Sequence, residues 1–186
     1  MLKALPLRLA GWKFEGEKPA AKKSVVLAFP HTSNWDALLL VALAQSVGLE
    51  MSWMIKSDWM KGPMGIILRG VGAIPVNRKG AHNLVDQMVE ELRTRDALTL
   101  VIPPEGTRRR AETWKSGFYH IARGANVPVV PGYLDYRRKR AGFGPPIHLT
   151  GDVKRDMDTI RAFYAEVDPR GLVPEHVGPI ALRDEA

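Results

Sequence analysis

A histidine and an aspartate stand five residues apart in the segment 30–36, and these two residue types can carry out acid–base chemistry together. A neutral imidazole such as that of His31 can take a proton from an alcohol while the alcohol attacks a carbonyl carbon. A carboxylate such as that of Asp36 can accept a hydrogen bond from the other ring nitrogen and stabilise the imidazolium. The sequence Ser-Asn-Trp-Asp at 33–36 also fits a capping box, in which Asp36 would only cap a helix.

A second candidate segment is Glu-Gly-Thr-Arg at positions 105–108. The guanidinium of Arg108 can hold a phosphate through two parallel hydrogen bonds, and Gly106 permits a tight turn with close backbone approach. Thr107 adds a hydroxyl, and Glu105 can bind a ligand hydroxyl or orient Arg108. The alternative interpretation is a charged turn with a surface Glu–Arg pair.

A second arginine, Arg78, comes two residues after the short apolar segment 72–76. It is a further candidate phosphate contact, or else an ordinary turn arginine. A base together with a phosphate clamp favours acyl transfer to a phosphate-bearing alcohol. The hydroxyl of that acceptor would itself be the nucleophile, so the chemistry needs no catalytic serine or cysteine.

Strand and helix patterns alternate along the chain, which predicts a single α/β domain with a central, mostly parallel or mixed sheet flanked by helices. His31 follows the apolar strand predicted at 24–29, and Glu105 follows the strand predicted at 98–102. Because ligands bind at the carboxyl ends of parallel strands, both motifs belong at one edge of the sheet. The other predicted strands are 51–55, 73–76, 127–134 and 147–150, and the predicted helices are 34–47, 81–94, 116–123 and 154–167.

Composition narrows the class of protein. The 186 residues carry a formal net charge of +7, which favours an anionic partner such as lipid headgroups, a phosphorylated substrate, an acidic carrier protein or nucleic acid. There is no cysteine, which excludes disulfides and thiolate catalysis. The longest uncharged helical segment, 37–49, is shorter than the roughly 20 residues that span a bilayer.

The chain divides into a basic amphipathic segment at 1–23, a catalytic domain at 24–167 and an irregular tail at 168–186. The first segment would either lie on an anionic membrane or dock on the core. The cationic run 137–140 either forms a solvated loop or binds an anionic bilayer by electrostatic attraction. A cluster of methionines and tryptophans would form core, line an acyl tunnel or touch a membrane: Met51, Trp53, Met54, Trp59, Met60 and Met64.

Taken in order, these segments resemble the glycerolipid acyltransferases of the lysophosphatidic acid acyltransferase family. Four blocks carry the resemblance: His-x4-Asp at His31–Asp36, Gly-x-Ile-x-x-x-Arg at Gly72, Ile74 and Arg78, Glu-Gly-Thr-Arg at Glu105–Arg108, and Val-Pro-x-x-Pro at Val127, Pro128 and Pro131. Their order and spacing span most of the domain, and the fold they imply is that of the glycerol-3-phosphate acyltransferases.

The resemblance implies that His31 is the base and Asp36 its partner. It also implies a glycerol phosphate site at Arg78, Glu105, Gly106, Thr107 and Arg108. The acyl donor would be acyl-CoA or acyl carrier protein, with no bound cofactor and no metal. The acceptor would be 1-acyl-sn-glycerol-3-phosphate, giving phosphatidic acid, or another lyso-lipid or hydroxylated lipid. Such an enzyme would work in the cytoplasm, peripherally on the inner face of the membrane.

Two other classes of function remain open at this point. The positive charge also fits a nucleic-acid- or lipid-binding protein without catalysis, although no known nucleic-acid motif is present and no nucleic acid is expected as a partner. A metal-dependent hydrolase would draw on His31, Asp36, His82, His120 or Glu105, but their spacing matches no metal-binding motif.

Overall fold

A seven-stranded sheet forms the centre of the protein. The structure is a computed structural model that describes residues 10–76 and 81–183, without the side chains of residues 38 and 81–83. The strands, in chain order, are β1 Lys13–Glu15, β2 Lys23–Phe29, β3 Ser52–Lys56, β4 Ala73–Val76, β5 Leu98–Ile102, β6 Val129–Asp135 and β7 Arg140–Phe143. Their order across the sheet is β1-β7-β6-β2-β5-β3-β4.

Helices connect the strands. They are α1 Trp35–Ser46, α2 Gly62–Gly70, α3 Ala81–Thr94, α4 Gly117–Ala125 and α5 Val153–Val167, with short 3-10 helices at Ser57–Met60 and Pro174–His176. Strands β2 to β6 run parallel to their neighbours in the sheet, whereas β7 is antiparallel to β6 and β1 is parallel to β7. The expectation of a mixed, mostly parallel sheet flanked by helices is therefore confirmed. The carboxyl-terminal ends of the parallel strands β2 to β6 all lie at one edge of the sheet, which we name the carboxyl edge.

The helices lie on both faces of the sheet because the side chains of each central strand alternate between two cores. Val25 and Leu27 of β2 belong to the larger core, which α3, α4 and α5 cover. Val26 points the other way and packs in a smaller core with Ala44 of α1. All three β2 side chains are fully buried, so a shift of register by one residue would exchange their faces at a large cost in buried apolar area.

The predicted strand at 147–150 is wrong, because the structure contains only an isolated bridge between Ile147 and Val129. β7 pairs with β6 over Gly132–Asp135 only. Val129, at the start of β6, lies outside this pairing and forms only the bridge with Ile147 on that side of the strand. Pro145 and Pro146 precede the bridge, and proline has no N–H to donate to a ladder.

Both ends of the described chain return to this domain. β1 joins the sheet through β7, and residue 182 forms a bridge with Trp114. The tail also reaches the loop after β2, where the backbone N–H of Val173 donates to the hydroxyl of Thr32 at 3.3 Å. The parts of the predicted terminal segments at 1–9 and 184–186 lie outside the described residues. Among the helices that the structure describes, none is both long enough and apolar enough to cross a bilayer.

Candidate active site

The loop that carries His31 is closed by the carboxylate of Asp36. β2 ends at Phe29 and α1 begins at Trp35, so the chain must turn within five residues. Asp36 Oδ2 accepts the backbone N–H groups of Thr32 at 2.7 Å and of Ser33 at 2.8 Å. The bond from Ser33 is one half of the predicted capping box, but the N-cap residue of α1 is Asn34, which makes no side-chain cap hydrogen bond, so Asp36 closes the loop and does not cap the helix.

The same carboxylate also meets the imidazole. His31 Nδ1 lies 3.3 Å from Asp36 Oδ2, and the histidine side chain is 20% exposed whereas the aspartate side chain is 4% exposed. Asp36 Oδ1 accepts the hydroxyls of Tyr136 at 2.7 Å and of Ser33 at 2.8 Å. Both carboxylate oxygens are therefore held, one by the loop backbone and His31 and the other by two hydroxyls.

These contacts determine the charge of Asp36. Burial alone would raise its pKa, but the hydrogen bonds from His31, Tyr136 and Ser33 favour the ionised form and lower the pKa to about 2. The carboxylate is therefore charged at neutral pH and accepts a hydrogen bond from the Nδ1–H of His31. This leaves Nε2 as the imidazole nitrogen that Asp36 does not engage.

Glu105 lies beneath this loop and not at the surface. Its residue is 2% exposed, and its Oε2 accepts the backbone N–H of His31 at 2.8 Å. Oε1 is buried without a hydrogen-bond partner. Burial, opposed by the His31 bond and reinforced by the charge of Asp36, raises the pKa of Glu105 to about 8. Glu105 therefore contacts the His31 loop directly, and its role as a ligand contact stays a prediction.

Gly106, Thr107 and Arg108 follow as an exposed turn at the carboxyl edge. Gly106 has φ +63°, in the left-handed region that favours glycine. A guanidinium nitrogen of Arg108 donates a hydrogen bond to Oδ1 of Asn34, in the loop that carries His31. Arg108 is therefore held beside the His31 loop with its remaining N–H groups available to a ligand.

A lysine also crosses this turn. The side chain of Lys115 lies so close to Gly106 that a Cβ there would come within 2.6 Å of the lysine Cε. The backbone N–H of Lys115 donates to the carbonyl of Pro104 at 2.8 Å, which ties the two segments together. The turn thus carries two cations, Arg108 and Lys115. Arg78, the other predicted phosphate contact, lies outside the described residues.

An apolar groove of about 530 Å³ opens next to the His31–Asp36 pair. It is lined by Trp12, Trp35, Leu39, Tyr136, Lys139 and Leu172. Tyr136 connects the groove to the His31–Asp36 pair, since its ring lines the groove and its hydroxyl donates a hydrogen bond to Asp36. None of the Met and Trp cluster, for which core, an acyl tunnel and a membrane contact were alternatives, lines this groove: Met51 and Met60 are buried, whereas Trp59 and Met64 are exposed.

Sequence reasoning missed Tyr136 and the contact between Asn34 and Arg108. Tyr136 directly follows β6, and β6 is the neighbour of β2, with Tyr133 paired to Phe29. A tyrosine after a predicted parallel strand is a usable signal only once the strand order is known. The block Val127–Pro131, the fourth that carries the resemblance, lies in the core, where Val129 and Val130 are buried.

The four cations at 137–140 are engaged within the protein. Arg138 forms an ion pair with Asp135, and Arg140 forms one with Glu15. Nζ of Lys139 donates to the carbonyl of Ala10 at 3.0 Å, and Arg137 lies 3.3 Å from Asp168. These contacts therefore hold the turn between β6 and β7, and each of the four side chains has a partner within the protein.

Comparison with known proteins identifies the family of this chain. The sequence model of the family described as Acyltransferase matches residues 11–135, which include all four motif blocks. A 1-acyl-sn-glycerol-3-phosphate acyltransferase of Haemophilus influenzae is 30% identical over 133 residues, covering 66% of this chain and 54% of the relative. The chain thus spans about half the length of that curated relative.

A solved structure shares the fold. The crystal structure of the 1-acyl-sn-glycerophosphate (LPA) acyltransferase PlsC from Thermotoga maritima superposes with a TM-score of 0.62 and 16% identity. The match covers 90% of this chain and 78% of the other. Because the family model covers more than half of the sequence, from β1 to the end of β6, the chain belongs to the acyltransferase family.

Proposed function

We propose that this protein is an O-acyltransferase that moves a fatty acyl group from a thioester to the free hydroxyl of a lysophospholipid. The acceptor that we propose is 1-acyl-sn-glycerol-3-phosphate, and the product is then phosphatidic acid. One observation carries the proposal: the His31–Asp36 pair and the Arg108 guanidinium lie on one loop system, joined through Asn34. The name of the Haemophilus influenzae relative supports the same acceptor.

The reaction begins with proton transfer to His31. Its Nε2 takes the proton of the acceptor hydroxyl as that oxygen attacks the thioester carbonyl carbon and a C–O bond forms. The imidazolium that results is stabilised by Asp36, which is ionised and held by four hydrogen bonds besides the contact with His31. Because both carboxylate oxygens are fixed in advance, little reorganisation is needed as the charge develops.

The second step breaks the C–S bond. The tetrahedral intermediate collapses to the ester, and the thiol sulfur leaves with the proton that Nε2 of His31 had taken. His31 returns to its neutral form, so the cycle consumes one thioester and one hydroxyl and releases one thiol and one ester. The donor that we propose is acyl-CoA or acyl carrier protein, whose thioester supplies the only activated bond that the reaction needs.

The turn after β5 binds the acceptor phosphate in this proposal. Arg108 offers planar N–H donors and Thr107 a hydroxyl, while Lys115, whose side chain lies against Gly106, adds a second positive charge. Arg78 remains the predicted further contact. Glu105 acts indirectly, because its carboxyl holds the backbone of His31 and not the ligand.

The apolar groove beside Tyr136 is suited to an acyl chain. Its volume of about 530 Å³ lies within the usual range for small-molecule pockets, and most of its lining is aromatic or aliphatic. Since Tyr136 also binds Asp36, a chain in this groove would start next to the reacting centre. We therefore propose that the groove accommodates one fatty acyl chain, at the cytoplasmic face of a membrane that supplies the lipid.

A panel of acceptors and donors tests the function. Thiol release and product mass are measured with acyl-CoA and with acyl carrier protein, against 1-acyl-sn-glycerol-3-phosphate, other lysophospholipids and glycerol 3-phosphate. The proposal expects thiol release only when an acceptor is present, fastest with a phosphate monoester that carries one acyl chain. Turnover confined to another lyso-lipid would contradict the proposed acceptor while retaining the chemistry.

The same panel separates the other classes of function. A metal-dependent hydrolase would release thiol without any acceptor and would stop when a chelator is added. A binding protein would release no thiol with any pair of substrates. Either result, obtained with folded protein, would contradict the proposed function.

A further inference from the structure

Exposed apolar side chains are concentrated beside α2. Of the seven large apolar side chains that are exposed among the described residues, five fall within residues 59–71. Ile66 is 72% exposed and Trp59 is 65% exposed. We name this patch the 59–71 surface, and it consists of Trp59, Met64, Ile66, Ile67 and Val71.

Close packing fixes which side of α2 faces outward. A Cβ on Gly65 would lie 2.0 Å from the carbonyl oxygen of Met60, so only glycine permits this contact between α2 and the preceding 3-10 helix. Gly65 is buried and Leu68 is half-buried, three residues further along the same side. Rotation of the helix would drive a side chain into the Met60 backbone. The apolar residues therefore face away from the core as a consequence of the packing and not of a loose helix.

Positive charge borders this surface. Residues 52–76 contain three cations, Lys56, Lys61 and Arg69, and one acid, Asp58. The acid is already paired, since Nζ of Lys56 lies 2.7 Å from Asp58 Oδ2. Lys61 and Arg69 are exposed at the two ends of α2. A short helix with apolar side chains outward and cations at its ends matches an anionic lipid surface.

The surface begins at the edge of the sheet that carries the active site. β3 ends at Lys56 and is parallel to β5, which in turn is parallel to β2. The chain that leaves β3 therefore emerges at the carboxyl edge, where His31 follows β2 and Glu105 follows β5. Strands in a sheet are about 4.8 Å apart, so Lys56 starts on the order of 10 Å from the His31 loop.

We propose that the 59–71 surface docks the enzyme on an anionic bilayer. The apolar side chains enter the boundary between headgroups and acyl chains, Trp59 lies at the headgroup level, and Lys61 and Arg69 meet lipid phosphates. Docking in this way brings the Trp59 end of the surface, and the carboxyl edge next to it, to the leaflet that contains the acceptor. The purpose of this contact rests on the proposed function, but the contact itself is measured without turnover.

A second copy of the chain is a less suitable occupant. A twofold contact through the same patch would bring the Lys61 and Arg69 side chains of both copies together, and like charges oppose each other at short range. A bilayer containing acidic lipids complements the same cations. The charge pattern therefore favours lipid over self-association.

Sedimentation with vesicles tests the proposal on the full chain. Vesicles of phosphatidylcholine alone are compared with mixed vesicles of phosphatidylcholine and phosphatidylglycerol. We expect the wild type to bind the mixed vesicles, the double variant I66S/I67S to bind roughly tenfold more weakly, and K61E/R69E to lose a similar factor on mixed vesicles. The matched control K154E/R155E makes the same change in net charge on exposed residues of α5 and should bind within about twofold of the wild type.

Two further readouts keep the outcomes separate. Thermal unfolding and turnover of a short-chain, monomeric acceptor should be unchanged in I66S/I67S, because its substitutions lie on an exposed surface away from His31. Vesicle binding of I66S/I67S and K61E/R69E equal to that of the wild type would overturn the docking proposal. A wild type that binds vesicles through this surface but transfers no acyl group would contradict the proposed function alone.

Discussion

The backbone N–H of His31 donates a hydrogen bond of 2.8 Å to the carboxyl of Glu105, 74 residues further along the chain. This bond joins the loop after β2 to the loop after β5, which are neighbouring strands. The two sequence motifs are therefore one structural unit, in which the second motif positions the first. Arg108 adds a second connection between the same loops through Asn34.

Replacing Glu105 separates the positioning of His31 from the charge of the carboxyl. Glu105→Gln keeps an oxygen that can accept the His31 N–H, so kcat should stay within about fivefold of the wild type. Glu105→Ala removes the acceptor and leaves a cavity, which should destabilise the protein by about 2–4 kcal/mol. It should also lower kcat by roughly 10–100-fold, because His31 loses its position. Steady-state kinetics and thermal unfolding measure both effects, and equal kinetics for the two variants would contradict the positioning role.

The pH dependence of stability should also change in Glu105→Gln. Glu105 has a pKa of about 8 in the folded protein, above the value of 4.5 for an unperturbed glutamate. The folded state therefore holds a proton that the unfolded state loses, and this contribution to stability falls as the pH rises from about 4.5 to 8. Linkage sets the fall at up to about 5 kcal/mol. Urea unfolding across this window should show a flatter profile for the glutamine variant, and identical slopes would be inconsistent with a protonated Glu105.

Tyr136 should support catalysis through Asp36. Tyr136→Phe removes the hydrogen bond that orients Asp36 Oδ1, so the carboxylate no longer fixes the geometry of the His31 imidazole and kcat should fall by about tenfold. Tyr133→Phe is the matched control, since it removes a tyrosine hydroxyl bound to Glu15 at 2.9 Å, away from the imidazole. A kinetic comparison in which both variants behave alike would remove Tyr136 from the site.

Arg108 should act on acceptor binding. Arg108→Ala removes the planar donors and should raise the KM for a phosphorylated acceptor by roughly 10–100-fold with a smaller change in kcat. Arg109→Ala, the neighbouring exposed arginine, should leave KM within about twofold. An acceptor without a phosphate should respond equally to both substitutions. If Arg108→Ala lowers kcat and leaves KM unchanged, the phosphate role is wrong.

Much of the architecture could be predicted because the central strands are continuous apolar runs. β2 (23–29) and β5 (98–102) are almost completely buried. Continuous apolar runs of this length are typical of central strands that are covered on both faces of a sheet. β1 and β7 could not be found in this way, because Lys13–Glu15 and Arg140–Phe143 are short and carry charged residues. Their strand state comes from pairing with each other and with β6, which is a tertiary effect.

The candidate site, too, could be predicted only in part from the sequence. The contact between His31 and Asp36 could be predicted from residue type and local spacing. The buried position of Glu105 and the bond from Tyr136 to Asp36 depend on which strands are neighbours, and spacing along the chain does not contain that information. Whether Asp36 caps the helix also depends on geometry that the spacing does not contain: its carboxylate binds Ser33 and His31, whereas the N-cap residue of α1 is Asn34.

The most direct test of the central claim is acceptor-dependent thiol release by wild type and His31→Ala, with acceptor binding and thermal unfolding measured on the same preparations. His31 is a partly exposed side chain, so the variant should fold and bind the acceptor as the wild type does. The account predicts a loss in kcat of at least roughly 10³-fold, because the proton of the attacking hydroxyl then has no base. A variant that folds, binds the acceptor and retains more than about a tenth of the wild-type kcat would contradict it.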